Sequence, residues 1–74
     1  MIQIGVMKER YTLVGVDGNA FAIMGYVLLA MKDEGFSKEE RDEYLEDAKS
    51  SDYDHLLCVS VEYIDRVNDR VKGF

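Results

Sequence analysis

The chain has 74 residues, 15 acidic against 9 basic, and a formal net charge of −6. Its 47% apolar content is too high for a disordered chain, and one cysteine excludes an internal disulfide framework or a multi-cysteine zinc site. Net acidity argues against the phosphate-neutralising surface of a nucleic-acid binder. The longest uncharged stretch, Gly18 to Met31, falls short of the roughly 18 residues that a membrane span needs.

A single domain over residues 1–74 is expected, since a chain this small builds one core. No proline, repeat or low-complexity run divides it. The chain opens without a basic leader and cleavage site, which predicts a cytoplasmic location.

In chain order the pattern predicts an α+β, mainly α, fold. Ile2, Ile4 and Val6 alternate with Gln3, Gly5 and Met7, the period of a half-buried strand over 2–7. A second strand is predicted over 11–16, where Tyr11 to Val16 is rich in β-formers, so the two make an N-terminal hairpin. Asp17-Gly18-Asn19 is a turn, and Asn19 is the leading candidate to cap a first helix over 20–34. That helix is apolar nearly all round, and Gly25 in its middle predicts a close backbone approach.

Gly35 fits the left-handed position after this helix, with Phe36 folding back on Met31. Ser37 and Glu40 spell a capping box for a second helix to residue 49, with Tyr44, Leu45 and Ala48 inward. Ser51 or Asp52 caps a third helix over 53–71, with Leu57, Ser60, Val61, Ile64, Val67 and Val71 inward and Asp65, Arg66, Asp69 and Arg70 on a solvated face. Short connections make successive helices neighbours, so the hairpin leads into a three-helix bundle.

No pattern reads as a catalytic or metal centre. Asp17-Gly18-Asn19 opens like a calcium loop, but Phe21 and Ala22 stand where the EF-hand needs an oxygen ligand and glycine. Asp52, Asp54 and His55 are too few to hold a metal and are accounted for by capping and the helix dipole. His55 and Cys58 stand one helical turn apart like a base and nucleophile, yet Cys58 sits among Leu56, Leu57 and Val59 and is expected to be buried and inert. No enzyme activity, metal or cofactor is expected. Tyr44 and Tyr63 are expected at the core edge, with their hydroxyls in water.

Surplus apolar surface on the first helix predicts a binding face at Phe21, Tyr26 and Leu28, covered by the hairpin or by a second chain. The charge is uneven: residues 1–16 sum to +1, 17–36 to −2, 37–54 to −5 and 55–74 to zero. The acidity is thus concentrated on the second helix, at Glu39, Asp42, Glu43, Glu46 and Asp47. Two functions follow as expectations: a protein-interaction module, possible as a homo-oligomer, or an acidic decoy that occupies the basic groove of a nucleic-acid enzyme. Neither involves direct nucleic-acid or membrane binding.

Asp17-Gly-Asn-Ala-Phe21, Gly25, Ser37-Lys-Glu-Glu and Tyr53-Asp-His-Leu-Leu57 together resemble a family of small bacterial and phage-borne proteins with no assigned activity. The resemblance covers about residues 11 to 64 and implies a prophage or mobile-element setting. Gly35-Phe36-Ser37 and Val61-Glu-Tyr-Ile64 also resemble, more weakly, the ubiquitin-associated domain, a compact three-helix module. That second likeness implies bundle geometry, whereas Glu34 stands where those domains place methionine.

Overall fold

The fold begins with helix stop and start signals, because these decide where each apolar face points. The computed structural model describes residues 11–13 and 15–72. Three helices follow one another: α1 (Ala20–Asp33), α2 (Lys38–Ala48) and α3 (Tyr53–Lys72). The predicted boundaries hold to within one residue. No strand occurs among the described residues. The first predicted strand, 2–7, and Val14 of the second lie outside them.

Each cap has a local cause. The Asn19 side chain accepts the Phe21 N–H at 2.8 Å and starts α1. After α1, Gly35 adopts φ +87°, its N–H bonds the Lys32 carbonyl, and the Phe36 N–H bonds the Met31 carbonyl at 2.9 Å. This is the Schellman pairing, which satisfies carbonyls that the helix leaves open. The Glu40 N–H then bonds the Ser37 hydroxyl at 3.1 Å, while the Ser37 N–H bonds the Glu40 carboxylate at 2.8 Å. Those bonds favour the ionised form, so the Glu40 carboxyl sits below its ordinary range, chiefly through the Ser37 backbone. Asp52 caps α3, taking the His55 N–H at 3.0 Å.

Each helix packs against the other two. The core joins Met24, Val27, Ala30 and Met31 of α1, Phe36 of the loop, Tyr44 and Ala48 of α2, and Leu56, Val59, Tyr63, Ile64 and Val67 of α3. The buried face of α3 differs from the one expected. Ser60, Ile64 and Val67 are inward, but Leu56, Val59 and Tyr63 replace Leu57, Val61 and Val71, and Val61 is 51% exposed. The reason is that α3 meets α2 as well as α1, which rotates its buried sector toward Tyr44. The Tyr44 and Tyr63 rings meet with centroids 5.1 Å apart. Tyr44 is wholly buried, and its hydroxyl bonds Ser60 rather than water.

The described residues of 11–19 form a strap along the α1–α3 seam. At one end the Asn68 side-chain amide bonds both the N–H and the carbonyl of Tyr11, at 2.8 and 2.9 Å. At the other end the Tyr53 hydroxyl donates to the Gly18 carbonyl. Between them the Thr12 N–H donates to the Tyr26 hydroxyl at 2.9 Å.

Candidate interaction surface

The start of α1 at Asn19 sets the phase of every residue after it. Ile23, Met24, Val27, Ala30 and Met31 point into the core. Phe21, Gly25 and Leu29, spaced four residues apart, therefore fall on the opposite line. Phe21 is 81% exposed and Leu29 59% exposed, the two largest apolar exposures on the described surface. Gly25 has no heavy atom within 4 Å of where a β-carbon would stand. The expected close approach at Gly25 is therefore absent among the described residues. Glycine there costs the helix about 1 kcal/mol relative to alanine with no packing within the described chain to offset it.

Of the expected binding-face residues Phe21, Tyr26 and Leu28, only Phe21 is fully on the surface. Phe21 projects outward. Tyr26 is half-buried under the strap, its ring edge-on to Tyr11 at 6.4 Å between centroids. Leu28 packs partly against the core. Leu29 was the missed member of the exposed stripe, although its spacing from Phe21 and Gly25 carries the signal.

The five carboxylates expected on the outer face of α2, Glu39, Asp42, Glu43, Glu46 and Asp47, are all exposed. Glu39, Asp42, Glu43 and Glu46 line one shallow depression. Lys38 bridges to Asp42 at 3.1 Å, an exposed contact of small energetic weight. Asp47 turns instead to α3, where its carboxylate meets the His55 ring nitrogen Nε2 at 2.9 Å, with the Ser50 hydroxyl at 3.3 Å. The hydrogen bond to Asp47 raises the His55 pKa.

Cys58 is exposed, which corrects the expectation of a buried thiol. The cause is the same rotation of α3: Leu56 and Val59 take the core face and leave Cys58 outward. It lines an open groove with Asp47, His55, Val61, Glu62 and Asp65. No group of three or more His, Cys, Asp or Glu side chains is arranged to hold a metal ion among the described residues. Asp52 is engaged in capping. No described helix is long and apolar enough to cross a membrane.

On the far side of α3, Arg66 lies over the Tyr63 ring at 4.5 Å and Arg70 over the Phe36 ring at 3.9 Å. Arg70 also donates to the Glu34 carbonyl at 3.3 Å, closing the end of α1. These two arginines cover aromatic rings as well as meeting water, a role that their charge pattern did not reveal.

No family model matches the chain, and no curated protein and no solved structure matches it either.

Proposed function

We infer that the chain is a non-enzymatic interaction module that binds another polypeptide through the outward stripe of α1. The observation that supports this is the exposure of Phe21, at 81%, in line with Leu29 on a helix whose other face is fully engaged. Leaving two large apolar side chains in water forgoes about 1.5–3 kcal/mol each, which a matching partner surface recovers. The resemblance of its DGNAF and SKEE segments to phage-borne proteins supports a prophage or mobile-element setting, with action in the cytoplasm. Phe21→Gln with Leu29→Gln leaves the core untouched and tests the idea. Affinity capture from the source organism, followed by mass spectrometry, should lose its specific partner with this variant and keep it in high salt.

A second reading is favoured by a different observation: four α2 carboxylates line one depression, with Lys38 the only basic side chain bridged to them among the described residues. Such a face suits an acidic decoy for the basic groove of a nucleic-acid enzyme, with fast, salt-sensitive association. Glu39→Lys with Glu43→Lys should then abolish capture, and Phe21→Gln should not.

A further inference from the structure

The outward stripe of α1 is symmetric about Gly25. Phe21 lies four residues before it and Leu29 four after, so each stands about 6 Å along the axis on either side. The space beside Gly25 is open, and with no side chain there the helix surface dips and lets a second backbone approach closely. Two large apolar side chains flanking a notch match their own image when the second helix runs the other way. Phe21 of one then lies level with Leu29 of the other.

Charge selects the same direction. Asp17 precedes α1 and Lys32 stands in its last turn, eight and seven residues from Gly25. Neither is in an ion pair among the described residues. Antiparallel pairing brings each Lys32 to the Asp17 end of the other helix, twice over, and opposes the helix dipoles favourably. Parallel pairing would set Lys32 beside Lys32.

We propose that the occupant of this stripe is a second copy of the chain, with α1 packed antiparallel on α1 about a two-fold axis at Gly25. This rests on the stripe being a docking surface and names what docks there. Such an isologous contact closes on itself, so it yields a dimer and not a filament. A patch built on one helix face is at the small end of specific interfaces, so the dimer forms at micromolar to submillimolar concentration.

Sedimentation equilibrium up to hundreds of micromolar tests the assembly. The wild-type chain should dimerise, and Leu29→Gln should weaken dimerisation at least tenfold. Gly25→Gln is the sharper variant, because it fills the notch at a site where nothing in the described fold is disturbed. It should remain folded, with a thermal midpoint at or above wild type, and yet be monomeric. Register is read by disulfide trapping in a Cys58→Ser background. Gly25→Cys should cross-link to itself, and Phe21→Cys should cross-link to Leu29→Cys only when the two proteins are mixed. A strict monomer, an undiminished Gly25→Gln dimer, or preferential Phe21→Cys self-linking would each overturn the proposal. A strict monomer that still needs Phe21 and Leu29 to capture a different protein would remove the second copy while leaving the docking stripe in place.

Discussion

The hydroxyls of Tyr44 and Ser60 share a 2.7 Å hydrogen bond in the core, with neither side chain exposed to solvent. Burial raises the Tyr44 pKa, so the phenol stays neutral and serves only as a hydrogen-bonding group. Removing one partner strands the other. Tyr44→Phe or Ser60→Ala alone should each cost about 1–3 kcal/mol, and the double variant clearly less than the sum. Urea denaturation of the four proteins checks this, and strict additivity would contradict it.

Gly35 holds φ +87° with open space around it, the nearest atom to a built β-carbon being Arg70 Nη1 at 4.0 Å. Gly35→Ala should therefore lose stability through backbone strain alone, by about 1–2 kcal/mol. Gly35→Asn should lose less, because asparagine tolerates the left-handed region. Equal midpoints for wild type and Gly35→Ala would show that the α1 stop does not depend on this conformation.

The Asp47–His55 contact ties the end of α2 to the start of α3. Its hydrogen bond raises the folded pKa of His55, so protonated His55 favours the folded state. That contribution is complete below the ordinary imidazole value of about 6.5 and is lost as pH rises through the folded value. The gap in melting midpoint between wild type and His55→Gln should accordingly shrink with rising pH. It should also shrink with salt, since both groups are substantially exposed. A gap that does not vary with pH would remove the ion pair from the account.

Asn68 fastens the strap by bonding both backbone groups of Tyr11, and the Tyr11 hydroxyl donates to Glu34 at 2.8 Å. Burial, then the Glu34 contact, push the Tyr11 pKa up to about 12. Asn68→Ala should cost about 1–3 kcal/mol by removing two hydrogen bonds to part-buried backbone groups. It should also bring the Tyr11 hydroxyl back toward the ordinary range. Spectrophotometric titration reads the second effect, and an unchanged profile would mean that the strap is held elsewhere.

Cys58 should react with a thiol reagent in the native protein to one equivalent, at a rate close to that of the denatured chain, because its side chain is exposed. Labelling that requires denaturant would restore a buried thiol.

Local chemistry made the helices legible. Asn19, Gly35 with Phe36, Ser37 with Glu40, and Asp52 act across separations of two to five residues, so their bonds follow from which residues stand near one another in the chain. The carboxylates of α2 were equally readable, because a face with no apolar side chain has nowhere to go but water. Partnership across the chain was not readable. Helical spacing shows that Leu56, Leu57, Val59 and Val61 recur, but only the position of α2 decides that Leu56 and Val59 turn inward and leave Cys58 and Val61 outside. The same holds for Tyr26, half-buried under a strap whose Thr12 stands fourteen residues earlier, and for Phe21, which nothing among the described residues covers. Sequence by itself determined where each helix starts and stops, since caps are short-range hydrogen bonds. Tertiary structure alone decided which side of each helix meets water, because burial is settled by which neighbours arrive.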